Sequence, residues 1–450
     1  MANAQRNDVG KTEIWSYGFG ALGYNLGAAG LMTFLTFFYT DYMLIPAASV
    51  ASILFFSRLI DGGTDLLLGV LIDRTKSKYG KARPWLLWMA IPAAISVSLL
   101  YYVPNFSTSG RVIYAFITYN AVAFFYLTAL ALPFQALVSL ITPNFQTRIS
   151  LSQMGAIFNT LAAVFVNLFA RKIMAALGGE AVGLWRFFTL MGVIGMGLMV
   201  LCFYMTKERV VRKENENNIP LGTGLKALAA NKYWWNITLL QLVTSLVPAM
   251  WGATVYYAQY ILNAPGMVGP IMSLMWGGIT IGIFLFMPIT KKYGKRNAAQ
   301  MGMILQVLGS VVLWFNPTSS ALLWISTTLR SIGPAAFIAA GNAMRADTVE
   351  YGEWKTGIRN EGMIYSGASF GAKVGSGIGG AILAALLARG GYVGGAAVQS
   401  AAAMEAIKTA FIIVPGIGSC LIMVMLAFFD LEKKMPQIMS DLEERKKTAA

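Results

Sequence analysis

Asp61 and Asp65 stand one helical turn apart inside an apolar stretch that runs over residues 50–72. A charge near the centre of a bilayer costs several kcal/mol, by estimates from roughly 3 to well above 10. Spaced at i and i+4, both carboxylates leave the same face of a helix. Two like charges there repel unless one is protonated or a cation lies between them. The pair therefore reads as a cation or proton site. Thr64 and Thr128 are neutral oxygen ligands for the same ion, although either hydroxyl serves equally well to bond its own helix backbone. The structural alternative is a carboxylate pair neutralised by Arg58 or Lys373.

Other polar groups fall in stretches just as apolar. Lys373 lies among Gly371, Gly375, Gly377 and Gly379, and a lysine that deep must pair, lose its proton or face water. Its small neighbours leave it unscreened, which suits a central cavity. Tyr24, Asn25, Gln135, Gln153 and Asn159 supply uncharged hydrogen-bonding groups that fit a hydroxyl-rich ligand, and the same groups also hold helices together. Gly18-Phe19-Gly20-Ala21-Leu22-Gly23 matches a dinucleotide fingerprint in spelling alone. No strand precedes it, so its glycines, with the Gly23/Gly27 spacing, read as close helix packing.

The elements that must position these groups are membrane helices. The chain of 450 residues is 56% hydrophobic and 12% charged, where a soluble domain carries about 25% charged residues. Mean hydropathy is +0.60. Twelve apolar runs are long enough to span, at 12–43, 50–72, 85–103, 111–141, 149–177, 187–205, 233–262, 267–290, 298–315, 321–345, 362–388 and 403–429. The expected fold class is an all-α membrane protein of twelve transmembrane helices in two six-helix halves, 1–205 and 233–429. A cytoplasmic linker, 206–232, joins them, and a charged tail, 430–450, forms a surface helix or stays disordered.

Net charge is +15, but its placement argues against nucleic acid. Arg74, Lys76, Lys78, Lys81 and Arg83 crowd one loop, whereas loops 43–49, 263–266 and 316–320 hold no Lys or Arg. That asymmetry places both termini in the cytoplasm. Histidine is absent, and Cys202 and Cys420 lie in separate runs. His-based catalysis, His metal ligands and a disulfide framework are therefore not expected. No cleavable signal is apparent, because the first apolar run is too long for one. The expected partners are a small solute and the lipid bilayer, with no cofactor, and the chain is expected to act as a monomer.

Lys78-Tyr79-Gly80-Lys81 after the second run recurs as Lys292-Tyr293-Gly294-Lys295 after the eighth, about half the chain later. Parallel halves of this kind describe a major-facilitator-type transporter with its substrate site near the midplane. On the cytoplasmic side, Asp73, Arg74, Lys78, Lys81 and Arg83 follow the second run, and Asp347, Glu350, Glu353 and Arg359 follow the tenth. Their signs are complementary, so ion pairs between the two loops are expected to act as an inner gate. The alternative is that the basic loop only sets topology and contacts anionic lipid.

Ser16-Tyr17-Gly18-Phe19-Gly20, Phe38-Tyr39-Thr40-Asp41, the Arg58–Asp65 run, Tyr79-Gly80-Lys81-Ala82-Arg83-Pro84-Trp85 and Ala346–Trp354 together resemble the glycoside–pentoside–hexuronide:cation symporters. The resemblance covers essentially the whole chain. It implies the major-facilitator fold and sugar uptake driven by H+, Na+ or Li+. It also implies that Asp61, Asp65 and Thr128 match the family's cation site, and that Lys373 matches the lysine between cation and sugar. Asn25, Ala131, Gln135 and Ala156 depart from the melibiose-type galactoside site. Thr64 stands where an asparagine is frequent, which favours H+ as the coupling ion.

The expected function is a cation-coupled symporter of a sugar or glycoside in the cytoplasmic membrane. A carrier of amphiphilic solutes on the same fold is the rival. A membrane enzyme would have only carboxylate or Lys chemistry to work with.

Overall fold

A computed structural model describes residues 9–210, 221–358 and 361–449. Among them every regular element is a helix, which is what a bilayer demands of a chain that cannot close a barrel. Ten of the described helices are long and apolar enough to cross a membrane, and two shorter apolar ones, Ala47–Arg58 and Ala90–Leu100, bring the candidate spans to the expected twelve. In order they are α1 (Lys11–Tyr42), α2 (Ala47–Arg74), α3 (Ala90–Leu100, preceded by a short helix Arg83–Trp88), α4 (Thr108–Ile141), α5 (Phe145–Ala176) and α6 (Glu180–Met205). After the linker helix Leu221–Ala229 come α7 (Lys232–Ile261), α8 (Val268–Tyr293), α9 (Lys295–Phe315), α10 (Ser320–Thr356) and α11 (Glu361–Arg389). The twelfth, α12, runs through Ala401–Lys408, Thr409–Ile413 and Val414–Ala427, and the tail helix α13 is Leu431–Ala449.

One compact unit consists of Met1–Glu214, Gly252–Ser273 and Ala381–Met404. Inside it α1 packs on α5 and α6, and Gly23 and Gly195 let the α1 and α6 backbones meet where a Cβ would collide. The other unit consists of Asn215–Trp251, Leu274–Gly380 and Glu405–Ala450, and there α9 packs along α10 through Gly302 and Gly333.

The repeated Lys-Tyr-Gly-Lys segments share one device. Gly80 and Gly294 take φ of +105° and +87°, the region that a Cβ disfavours. Each turns the chain into a helix start whose free N–H groups a distant glutamate accepts. Glu208, just after α6, accepts from the backbone N–H of Lys81 (2.9 Å), Ala82 (2.9 Å) and Arg83 (2.7 Å). Glu432, just after α12, accepts from Lys295 (2.9 Å) and Arg296 (3.3 Å). A carboxylate there satisfies orphan donors and meets the positive end of the helix.

A second repeat escapes inspection of the sequence. Phe38–Tyr42 and Tyr257–Ile261 are both π-helical turns, at the far ends of α1 and α7, and each is followed by a residue with positive φ, Leu44 and Asn263.

One expectation needs amending. The tenth span does not stop near 345 but continues as helix to Thr356, because its charged end is held by Lys295 on Asp347 (2.6 Å) and packs on the tail. The tail is an ordered helix on that extension. Trp354 Nε1 donates to Asp441 (2.7 Å), Arg445 donates to the Trp354 carbonyl (2.8 Å), and Leu431, Ile438 and Leu442 are buried.

Candidate functional site

Asp61 is buried in the middle of α2, with 1% of its surface exposed. Thr128 Oγ1 donates to its Oδ1 at 3.1 Å, and Arg58 Nη1 donates to its Oδ2 at 3.2 Å from the preceding turn. Thr128 closes the π-helical turn Ala123–Thr128 within α4. The wider turn inserts one residue and rotates the rest of the helix, a distortion common at functional sites. The guanidinium of Arg58 lies 5.8 Å from the ring of Tyr119, also on α4. Thus α2 and α4 bring a hydroxyl and a guanidinium to the same carboxylate. Thr64 donates instead to the backbone carbonyl of Asp61 (3.0 Å), which leaves its lone pairs as its only means of reaching an ion. The backbone of Asp65 continues α2, and its side chain lies outside the described residues.

The neutral candidates divide. Tyr24 stacks on Tyr126 with centroids 5.3 Å apart, and the Tyr126 hydroxyl donates to the Tyr24 carbonyl through space left by Gly27. The Asn25 amide is buried and donates to the Asn159 carbonyl at 2.5 Å, so it joins α1 to α5. Gln135 and Gln153 are exposed. Lys373 is half-buried on α11. The glycines around it have a more definite use than leaving it unscreened. Gly371, Gly375 and Gly379 lie against the carbonyls of Thr238, Leu242 and Leu246, so α11 rides directly on the α7 backbone.

Some residues of the expected gate are bonded within their own unit. Asp347 is held by Lys295, Arg83 donates through Nη2 to the Phe203 carbonyl (2.6 Å), and the Lys81 N–H is taken by Glu208. Lys78 lies over the Tyr79 ring at 5.0 Å. Arg74 is exposed, while Glu350 and Glu353 sit on the last turns of α10. The side chain of Asp73 and the whole of Arg359 lie outside the described residues.

Two polar clusters were not read from the sequence. Asp41 ends α1 in a cage of donors: Tyr392 Oη (2.7 Å), Thr40 Oγ1 (2.6 Å), Tyr260 Oη (3.3 Å) and the Gly395 N–H (3.1 Å). Thr40 also exchanges a hydrogen bond with Tyr256 (2.7 Å). Arg345, on α10, donates to Gln241 Oε1 (2.9 Å) and to Asn342 Oδ1. The Phe-Tyr-Thr-Asp spelling was the only signal for the first, and Arg345 offered none beyond its place at the edge of a span.

The family model described as "MFS/sugar transport protein" matches residues 16–433. The isoprimeverose transporter of Lactiplantibacillus pentosus is 34% identical over 98% of this chain and 93% of its own length. The glucuronide carrier protein homolog of Escherichia coli is 29% identical, over 96% of each. The crystal structure of nucleoside transporter NupG superposes with a TM-score of 0.65, covering 94% of this chain and 100% of that one at 16% identity, a likeness of fold alone. The chain belongs to the glycoside–pentoside–hexuronide:cation symporter family of the major facilitator superfamily.

Proposed function

We propose that this transporter imports a sugar or glycoside across the cytoplasmic membrane together with one H+, by alternating access, with both termini in the cytoplasm. The observation that carries the reading is the burial of Asp61 within reach of Thr128 and Arg58. A buried carboxylate is worth keeping only where its charge is managed. With no cation bound, Arg58 neutralises Asp61 and the empty carrier can return. A cation arriving at Asp61, with Asp65 as the second carboxylate, replaces that neutralisation and leaves the site closable around the solute. Tyr24, Asn25, Gln135, Gln153, Asn159 and Lys373 are the proposed solute contacts, and 1–205 and 233–429 the proposed moving halves. The relatives named for isoprimeverose and glucuronide support a glycoside as cargo.

The test is uptake into membrane vesicles with imposed gradients. Accumulation of unchanged glycoside should follow an acid-outside pH gradient without Na+ and collapse with a protonophore. Strict Na+ dependence without response to pH would overturn the choice of H+.

A further inference from the structure

Arg345 lies at the end of the apolar run of α10, eleven residues before the helix itself ends at Thr356, and an arginine at the edge of an apolar run ordinarily serves as a topology anchor and extends its side chain toward the aqueous interface. Here it extends the other way. Asn231, at the start of α7, donates to the Thr348 carbonyl (3.0 Å), which sets the two helices level at that point. Gln241 is ten residues further along α7, about 15 Å deeper at 1.5 Å per residue. Nη1 of Arg345 reaches Gln241 at 2.9 Å, and Nη2 turns back one helical turn to Asn342. The guanidinium therefore points into the membrane. It lies 6.0 Å from the ring of Tyr365 on α11, and Lys373 sits two turns deeper on that same helix, about 12 Å beyond.

The partners are the second observation. Among the described residues, those bonded to Arg345 are two side-chain amides, with one aromatic ring nearby, and no carboxylate lies within ion-pair distance. Its Nε is buried without an acceptor. Asp347, two residues on, is taken by Lys295. A cation at membrane depth whose acceptors are neutral oxygens is one whose counter-ion comes from elsewhere, and the planar fork of arginine suits a two-oxygen anion.

We propose that Arg345 is an anion-binding residue on the solute path, and that the transported sugar carries one negative group, a carboxylate or sulfonate. That group displaces the Gln241 and Asn342 amide oxygens from the guanidinium. The inference rests on the reading of the chain as a glycoside carrier and adds the charge of its cargo.

The probes are methyl β-D-glucoside, methyl β-D-glucuronide and the corresponding 6-sulfonate, which differ only at C6. Binding is read as the concentration that half-saturates thermal stabilisation of the purified full-length protein, and flux is read in proteoliposomes. At least one anionic probe should bind the wild type tenfold or more tightly than the neutral one, and which one does so separates carboxylate from sulfonate. Arg345→Gln should erase that ratio while leaving the neutral probe unchanged, and Arg345→Lys should keep part of it. Gln241→Glu, which supplies an internal carboxylate, should suppress the anion preference even if Arg345→Gln fails to insert. An equal ratio in wild type and variants, or a wild-type preference for the neutral probe, overturns the role of Arg345 while leaving a carrier. Absence of flux for all glycosides overturns the carrier reading and this inference with it.

Discussion

Asp61 accepts from a hydroxyl and from a guanidinium, and the two donors differ in kind. The hydroxyl of Thr128 can turn its lone pairs to a bound cation, whereas Arg58 can only compete with one. Asp61→Asn or Asp65→Asn should therefore abolish gradient-driven accumulation while the protein still inserts, measured by vesicle uptake against membrane abundance. Either variant concentrating solute at the wild-type level would exclude that carboxylate from coupling. Thr128→Val should have a graded effect. Hydrogen bonds to charged groups contribute about 1.5–3 kcal/mol, so the half-saturating cation concentration should rise about tenfold or more. An unchanged cation dependence would leave Thr128 as a packing residue.

At the scale of elements, the paired glutamate caps explain why the chain repeats Lys-Tyr-Gly-Lys. Glu208 satisfies three backbone donors and Glu432 two, each at a helix start that comes after a glycine of positive φ. Glu208→Ala should lower the stability of the detergent-purified protein by about 1.5–3 kcal/mol, and Glu432→Ala by less. Gly80→Ala should cost a similar amount, since its Cβ would strain the backbone and meet the Glu208 carboxylate. Thermal unfolding midpoints check all three. A Glu208→Ala midpoint equal to wild type would show that water replaces the cap.

At the scale of the whole molecule, the Asp41 cage joins three remote parts of the chain: the end of α1, the π turn that ends α7 and the segment after α11. The backbones also touch, because a Cβ on Gly394 would collide with the Thr40 carbonyl. Asp41→Ala or Tyr392→Phe should speed amide hydrogen exchange over residues 392–399. It should also raise the rate at which an impermeant thiol reagent labels a Thr36→Cys reporter from the side of the membrane on which the cage lies, with Cys420 replaced by Ser. Thr36 is buried one turn below the cage. Unchanged exchange and labelling would mean that the cage bears no part in closing that end.

Membrane class, the run of twelve spans, the position of Asp61 on its helix and the family were all legible along the chain. Each depends on local hydropathy, on charge placement or on a contiguous motif, and a bilayer makes such one-dimensional signals decisive. The pairing of Asp61 with Thr128 was legible through the family resemblance, whereas the engagement of Asp347 by Lys295 and the glutamate caps were not, because each unites residues tens to more than a hundred positions apart. Lys373 was found for its charge, yet the use of its neighbouring glycines emerged only from the approach of α7. Arg345 makes the same point about direction. Its charge and depth are plain in one dimension, but whether a long side chain climbs into the membrane or out of it depends on which acceptors neighbouring helices place within its reach.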